Sequence, residues 1–291
     1  MIEEYGSLAK SYIEAMASRP PQERDGDYTV DGVLFCGKCR TAKQAWIDWM
    51  PDEEGNREKR LVPVMCRCEQ EKMAAEEKAF RKSQFDLALA SARDAFGLFE
   101  RGTEKITFAN DDAERSAISR TCRRYVERFD EMRKANIGIL FYGNKGTGKS
   151  FYASCIANAI AEKMIPTTVV TTAAIIGAAQ GKTERAAIIE HLNHFSLVVL
   201  DDLGAERDTS YGAEVLYSII DARYRAGKPL IVTTNLDEGE MHGDTDPMRS
   251  RIYDRVLEMC SIPLKMLGES RRSGIADRRR ELARELLRGG T

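Results

Sequence analysis

The feature that most constrains the fold is a glycine-rich segment between an apolar run and a helical pattern. The segment GNKGTGKS, residues 143–150, follows the run IGILFY and precedes the helical stretch FYASCIANAIAEK. Its spacing fits G-x-x-x-x-G-K-[ST], in which the glycines let the backbone turn tightly and aim N–H groups inward. A glycine-rich turn with an incidental lysine is the alternative, but a preceding strand and a following helix are the context that the motif requires. The sequence therefore predicts a P-loop that binds nucleotide phosphates.

Two residues at the end of this loop have specific predicted roles. Lys149 is expected to reach the β- and γ-phosphates of ATP, and the Ser150 hydroxyl is expected to ligate Mg²⁺. The helix that begins near Lys149 adds its positive amino-terminal end to the phosphate site. The candidate nucleotide-binding residues are Gly143, Asn144, Lys145, Gly146, Thr147, Gly148, Lys149, Ser150, Phe151 and Asp201.

Short apolar runs alternate with helical patterns from about residue 106 onward. The runs are NIGILFYG, TTVVTT, LVVLDD, LIVTTN and CSIPLKM, and helical stretches lie between the first four. Each run is apolar on both faces, as the strands of a buried parallel sheet are. This alternation predicts an α/β domain in which helices cover a five-stranded parallel sheet.

Two adjacent aspartates end the run LVVLDD, and neighbouring carboxylates repel each other unless a positive charge lies close by. A Mg²⁺–nucleotide held by the P-loop supplies that charge. Asp201 is expected to hold Mg²⁺ as the Walker B residue, and Asp202 is the candidate base or water-orienting group. Capping of the next helix is the alternative role for Asp202. Asn235 ends the following run and can meet the attacking water or the γ-phosphate, although such an asparagine is often only a turn residue.

Two pairs of arginines complete the predicted site. Arg223 and Arg225 end the helical stretch AEVLYSIIDARYRAG, and Arg251 and Arg255 lie four residues apart on one face of a later helical stretch. Arginines at a helix end are often solvated and complement the helix dipole. In a ring of subunits, Arg223 or Arg225 can instead reach a neighbour's γ-phosphate, whereas Arg251 or Arg255 can contact the nucleotide of its own subunit.

Four of the seven cysteines form two close pairs, CGKC and CRC, before the predicted P-loop domain, and no histidine lies in this region. Four thiolates can close a tetrahedral site, so the pairs predict a Zn²⁺-binding module whose metal supplies folding free energy. Free or buried thiols and a redox role are the alternatives. Trp46, Ile47 and Trp49 lie between the pairs and either pack on the module or form a partner surface. The predicted metal ligands are Cys36, Cys39, Cys66 and Cys68 for zinc, with Ser150 and Asp201 for magnesium.

Charge and hydropathy narrow the function classes further. The formal net charge is −2 although 31% of the residues are charged, so any contact with nucleic acid must come from a local patch. The basic C-terminal stretch ESRRSGIADRRRELARELLRGGT is such a patch, either as a solvated amphipathic helix or as a contact to DNA phosphates. No run of about 18 apolar residues and no signal peptide is present, so a cytoplasmic protein without membrane contact is expected.

The order of the motifs resembles that of a known family. The segments GILFYGNKGTGKS, LVVLDDLGAE, YSIIDARYRAGKPLIVTTNL, SRIYDRV and LKMLGESRR resemble the bacterial and phage DnaC/DnaI-type helicase loaders, which are AAA+ ATPases close to the IstB transposition helpers. The resemblance covers about residues 106–272. Asp-Asp stands where many AAA+ proteins carry Asp-Glu, which looks like the loader form. The roles that the resemblance implies are Walker A for Lys149 and Ser150, Walker B for Asp201 and Asp202, sensor 1 for Asn235, the sensor-2 region for Arg255, and the arginine finger for Arg223 or Arg225.

The resemblance also implies a function and an organisation. It implies an ATP-dependent loader of a DnaB-type replicative helicase onto single-stranded DNA, acting as a ring or spiral of identical subunits. Because Asp202 is one methylene shorter than the glutamate common at this position, a slow, switch-like ATPase is expected. An IstB-like helper of a transposase, a small-molecule P-loop kinase and a zinc-dependent scaffold are the alternatives. The predicted domains are an N-terminal helix and zinc-binding, helicase-binding module at 1–68, a linker helix at 69–105, an AAA+ ATPase domain at 106–272 and a basic tail at 273–291.

Overall fold

The computed structural model describes residues 20–49, 57–114, 116–180, 182–204, 210–268, 270, 280–281, 283–285 and 287. The predicted N-terminal helix and most arginines of the predicted basic tail lie outside these residues. The chain divides into two compact units, Met1–Gln84 and Phe85–Thr291. The boundary between them falls inside the segment that the sequence predicts to be a linker helix.

The first unit contains two short antiparallel hairpins. Strand β1 (Tyr28–Val30) pairs with β2 (Val33–Phe35), and β3 (Gln44–Asp48) pairs with β4 (Lys59–Pro63). Asp31-Gly32 forms the first turn with positive φ at both residues, as a two-residue hairpin turn requires. Hairpins of this size are marginal in water on their own. The buried apolar side chains of this unit, among the described residues, are Leu34, Cys36, Trp49, Val62 and Cys66.

A long helix, α1 (Arg67–Asp94), begins at the second cysteine pair. Its first half is almost entirely exposed, as the sequence predicts for a connecting helix. The helix ends at Asp94 rather than continuing to residue 105, because Phe96 and Gly97 adopt positive φ and break the right-handed path. Three single turns of 3₁₀ helix follow, at Ala95–Gly97, Thr103–Lys105 and Phe108–Asn110.

The second unit is built on a five-stranded parallel sheet, which confirms the predicted fold class. The strands lie in the order β6-β7-β8-β5-β9, and every neighbouring pair is parallel. Pro263 is tolerated in β9 because β9 is an edge strand. The strands are β5 (Ile139–Gly143), β6 (Thr167–Thr171), β7 (Leu197–Leu203), β8 (Leu230–Thr234) and β9 (Ile262–Met266).

Helices cover both faces of this sheet, and the strands are apolar on both sides for that reason. Ile139 and Phe141 of β5 pack into a core under α4, whereas Leu140 between them packs into a second core under α7 and α9. No helix in the described part of the chain is both long and apolar enough to cross a bilayer. The helices are α2 (Ala117–Glu127), α3 (Phe129–Lys134), α4 (Lys149–Ala161), α5 (Thr172–Ala178), α6 (Lys182–His194), α7 (Ser210–Arg225), α8 (Glu238–His242) and α9 (Pro247–Met259).

Candidate functional site

The P-loop turns from β5 into α4 through glycines with left-handed backbone conformations. Gly143 has φ 112° and Gly146 has φ 78°. A Cβ atom on Gly143 would lie 2.7 Å from the Met266 carbonyl oxygen, and one on Gly146 would lie 2.1 Å from the Ser270 hydroxyl. Both positions therefore require glycine for conformation and for space. The first turn of α4 starts directly at the loop, so the positive amino-terminal end of the helix lies at the loop.

The side chain of Lys149 is folded onto its own loop. It is 7% exposed, and its ammonium donates to the carbonyls of Gly143 at 2.9 Å and Asn144 at 2.6 Å. A third bond, of 2.9 Å, reaches the Oδ1 atom of Asn235 after β8. The ammonium is thus surrounded by oxygen atoms, which is the environment that phosphate oxygens would also provide.

The remaining loop residues differ in burial, and Thr147 is buried at 6% exposure. The Thr147 hydroxyl donates to the Asn144 carbonyl at 2.9 Å, and Lys145 is exposed. Ser150 is half-buried in the first turn of α4. Phe151 is partly buried and packs on the core, with its ring 5.3 Å from that of Tyr152. The Phe151 side chain therefore anchors the first turn of α4 to the core.

The paired aspartates lie near the carboxyl end of strand β7. Asp201 is half-buried and its Oδ1 atom accepts a 2.6 Å bond from the Thr233 hydroxyl. Asp202 is exposed, has φ 60°, and lies where the pairing of β7 with β8 shifts register between Leu200 and Leu203. Because Asp202 lies inside β7, it does not cap α7, which begins at Ser210 in the described residues.

Asn235 joins the loop to the aspartates. Its Oδ1 atom accepts the bond from Lys149, and its Nδ2 atom donates to Asp202 Oδ1 at 3.0 Å. The sheet order explains this bridge, since β8 lies between the P-loop strand β5 and the aspartate strand β7. The carboxyl ends of these three parallel strands meet at one edge, so residues distant in sequence converge there.

Arg223 does not have the surface position that either an arginine finger or a solvated helix end requires. Its side chain is fully buried and donates to the carbonyls of Leu192 at 2.8 Å, Phe195 at 3.2 Å and Pro229 at 2.9 Å. Burial also lowers the pKa of its guanidinium. Arg223 ties the ends of α6 and α7 together, and the expectation that it is the finger is not supported.

Arg225 and Arg255 lie together on the surface, away from the P-loop. Both pair with Asp221, at 2.5 Å and 3.6 Å, and Arg255 stacks 3.9 Å from the centre of the Tyr224 ring. These contacts are in the last turns of α7, which lead into the amino end of β8. The P-loop is at the carboxyl edge, a strand length of about 16 Å away at about 3.3 Å per residue. The expectation that Arg255 contacts its own subunit's nucleotide is therefore not supported.

The four predicted zinc ligands are gathered in the first unit. Their sulfur atoms all lie within 4.8 Å of one another, with Cys36 and Cys66 buried and Cys39 and Cys68 half-buried. A tetrahedral Zn²⁺ site with Zn–S distances of about 2.3 Å has S···S distances of about 3.8 Å, so this all-sulfur set fits zinc. A hydrogen bond from the Thr41 hydroxyl lowers the pKa of Cys39 to about 5. The hydrogen bond between Cys68 and Cys39 raises the pKa of Cys68 to about 12, because it stabilises the protonated thiol of Cys68.

A buried ion pair that the sequence does not predict lies beside this cluster and holds its first cysteine segment. Lys43 and Asp27 are both buried and lie 2.6 Å apart. Asp27 also accepts a 2.9 Å bond from the Gly37 N–H inside the first cysteine pair. The segment around Asp27 reads as a polar linker, and nothing in its composition separates a buried aspartate from a solvated one. Of the two tryptophans, Trp49 packs and is 8% exposed, whereas Trp46 is 58% exposed.

The fold and the site together define an AAA+-like P-loop domain. The sheet carries the P-loop, the paired aspartates and the asparagine on three neighbouring strands. Residues 71–278 match the family described as IstB-like ATP binding protein, and the chain belongs to this family. The family resemblance predicted from the order of the motifs is confirmed.

Relatives and a solved structure agree with this assignment. The chain is 28% identical over 151 residues to the "Replicative helicase loader DnaC" of Escherichia coli K12, which is 50% of this chain and 58% of that protein. It is 26% identical over 174 residues to the "Replicative helicase loader DnaI" of Bacillus subtilis, 55% of each chain. The match spans little more than half the length of these relatives. A crystal structure of DnaI has a TM-score of 0.50 at 22% identity, covering 59% of this chain and 93% of that one, and shows the shared fold.

Proposed function

We propose that this protein is an ATP-dependent loader of a replicative DNA helicase onto single-stranded DNA. The observation that carries the proposal is the chain of bonds from Lys149 through Asn235 to Asp202, in a protein whose relatives are named replicative helicase loaders. This chain of bonds links the phosphate loop directly to the acidic pair. An arrangement of this kind suits a site that senses the γ-phosphate.

In this proposal, different residues at the carboxyl edge of the sheet bind the phosphates, bind Mg²⁺ and position the attacking water. Lys149 and the loop N–H groups hold the β- and γ-phosphates, and Ser150 and Asp201 hold Mg²⁺. The metal ion, when bound, neutralises charge on the phosphate oxygens. Asp202 orients the attacking water and accepts its proton, and Asn235 positions that water. Asp202 is one methylene shorter than glutamate and holds the water less closely, which suits a slow switch.

ATP binding changes the acidic pair through Asn235. Phosphate oxygens compete for the Lys149 ammonium, so ATP releases Asn235 Oδ1 from its 2.9 Å bond. The Nδ2 group has two hydrogens, so after this release the amide can rotate to donate one of them to the γ-phosphate while the other still bonds Asp202. The presence of the γ-phosphate is thereby transmitted to the residue that controls hydrolysis, which is the property that a nucleotide switch needs.

Several surfaces are assigned to partners in the proposal. The zinc-bearing first unit binds the helicase, with exposed Trp46 on its surface. Identical subunits form a ring or spiral in which exposed Arg225 acts in trans as the arginine finger, since it is the rival to buried Arg223. The basic tail contacts DNA phosphates.

Co-purification tests the proposal. The full chain, loaded with zinc, is mixed with the replicative helicase of its host, with ATP, with ADP and without nucleotide. The expected result is a complex whose stability depends on ATP for the native chain and not for Lys149→Ala. If no complex forms under any of these conditions, the loader function is wrong.

An IstB-like helper of a transposase is the second candidate, because the family match is to IstB-like proteins. The same pull-down against a transposase separates the two. Stimulation of ATP hydrolysis by single-stranded DNA, with no phosphorylated small product, would exclude a small-molecule kinase.

A further inference from the structure

A buried threonine lies between the two aspartates of β7. The Thr233 side chain is 2% exposed. Its hydroxyl donates to Asp201 Oδ1 at 2.6 Å and accepts the backbone N–H of Asp202 at 2.9 Å. One hydroxyl group therefore contacts both members of the acidic pair, the carboxylate of the first and the main chain of the second.

The main chain of Asp202 is held from two sides. Its φ of 60° lies in the left-handed region, which residues other than glycine adopt rarely, although aspartate does so more readily than most. Thr233 in β8 holds its N–H, and the Thr172 hydroxyl, at the start of α5, donates to its carbonyl at 3.0 Å. These two hydroxyls, from opposite neighbours of β7, stabilise the unusual conformation.

This conformation determines where the two carboxylates point. In a regular strand, consecutive side chains point to opposite faces, and residues two apart share a face. Thr233 and Asn235 are two apart, yet they bond to the consecutive Asp201 and Asp202. The register shift between Leu200 and Leu203, with its left-handed residue, makes this possible. A straight strand would turn one carboxylate away from the site.

We propose that Thr233 is a positioning residue for the acidic pair: it aims Asp201 at the cation and keeps Asp202 in the left-handed conformation that brings its carboxylate to the same site. The inference rests on the proposed nucleotide function. Thr233 acts through the two aspartates and not by contact with the nucleotide. Replacement of Thr233 should therefore change first the Mg²⁺ dependence of nucleotide binding.

The chain offers a matched control. Thr234 is the next residue of β8, is fully buried, and also makes two hydrogen bonds, donating to the Leu203 carbonyl at 2.7 Å and accepting from Leu236 N–H at 3.1 Å. Thr234→Val removes as many hydrogen bonds as Thr233→Val without touching either carboxylate. The two variants separate a general loss of packing from a loss of positioning.

The experiment measures binding of a fluorescent ADP to the full chain across a Mg²⁺ titration. Thr233→Val is expected to raise the Mg²⁺ concentration for half-saturation about tenfold, the loss typical for a hydrogen bond to a charged group. Thr233→Ser, which keeps the hydroxyl, and Thr234→Val should stay within about twofold of the native chain. Affinity without Mg²⁺ should be the same in all four proteins. Thr233→Ala carries the same expectation as the valine variant, should the latter not fold.

Two results would overturn the assignment of Thr233. One is an unchanged Mg²⁺ titration in Thr233→Val and Thr233→Ala, and the other is an equal shift in Thr234→Val. A native chain whose nucleotide binding shows no Mg²⁺ dependence would instead overturn the proposed function together with the inference.

Discussion

The cysteine module and the P-loop domain reach a defined structure by different physical means. The second unit buries apolar side chains on both faces of its sheet, and all its strands except the edge strand β9 are largely covered. The first unit has two short hairpins and a handful of buried apolar side chains in its described part. Its four thiols lie within 4.8 Å of one another and replace a core as the point where the segments meet.

This difference separates the tasks of the two predicted metals. Zinc in the first unit would hold chain segments together, so its loss should abolish structure. Magnesium in the second unit would act on phosphates, so its loss should abolish nucleotide chemistry and leave the fold in place. Four predictions, from the largest expected effect to the smallest, test whether the two units depend on their metals in these different ways.

Removal of a zinc ligand should have the largest effect. Cys66→Ser replaces a buried sulfur, and the first unit should lose the metal-binding free energy, about 10–16 kcal/mol in small zinc domains. The measurement is the zinc content and thermal unfolding of the purified chain. The unfolding transition of the second unit should persist. Cys260→Ser changes a buried thiol of the second unit and is the control. This variant should retain the zinc bound by the first unit. Full zinc content in Cys66→Ser would show that the cluster is not the metal site.

Asp202→Asn should stop turnover and leave the fold intact. The amide oxygen can still accept the bond from Asn235, but it cannot take a proton. ATP hydrolysis should fall about 10²- to 10⁴-fold, the usual contribution of a general base, with ATP affinity unchanged. Asp201→Asn is the contrasting variant and should weaken Mg²⁺-dependent binding. Normal turnover in Asp202→Asn would move the catalytic role elsewhere, with Glu206, outside the described residues, as the nearest candidate.

Replacement of the two arginines at the end of α7 should change the free energy of unfolding by very different amounts. Arg223→Met removes the guanidinium donor from three buried carbonyls, and the free energy of unfolding of the second unit should fall by about 3 kcal/mol. Arg225→Ala removes a surface ion pair and should change it by less than about 0.5 kcal/mol. Urea unfolding of the full chain measures both. Equal effects would contradict the structural role assigned to Arg223.

The smallest predicted effect is the loss of stability of the second unit in acid, and the group responsible for it is Asp111. Burial alone would raise the pKa of Asp111, but bonds from the Ser119 hydroxyl, the Ala113 N–H and the Tyr152 hydroxyl hold it below its usual 3.8. Its contribution to stability is therefore present above pH 3.8 and lost as the pH falls through the lowered value.

Asp111→Asn tests this contribution. It should destabilise the second unit by about 1 kcal/mol or less at neutral pH, after allowance for solvent screening. The difference from the native chain should shrink as the pH falls below 3.8. Unfolding curves at several pH values measure it, with Tyr152→Phe as the variant that removes a single one of these bonds. A difference that grows in acid would reverse the assigned sign.

The sequence predicted the elements of the nucleotide site better than their connections. The P-loop, the aspartates and Asn235 are each recognisable because a specific backbone or charge requirement restricts the residue types. The hydrogen bonds among them could not be predicted, because they depend on β8 lying between β5 and β7. Alternating strands and helices do not specify that order.

The positions of the arginines also could not be predicted from the local sequence. Arg223 and Arg225 are two residues apart at a helix end, and nothing local distinguishes them. One turns into the space between α6 and α7, and the other turns into solvent. That both arginines lie at the edge opposite the P-loop, by contrast, already follows from the predicted parallel sheet, because a helix that leads into a parallel strand ends at the amino edge.

The local chemistry of this protein is readable in the order of its residues: a glycine-rich phosphate loop, an acidic pair at a strand end, and four cysteines in two close pairs. These signals are local because each depends on backbone conformation or ligand type over a few residues. The folded structure is needed to see which carboxylate is held by which partner, whether each arginine is buried or exposed, and that Thr233 lies between the aspartates. Such choices depend on the packing of strands and helices distant in sequence, where burial and hydrogen-bond satisfaction are decided together.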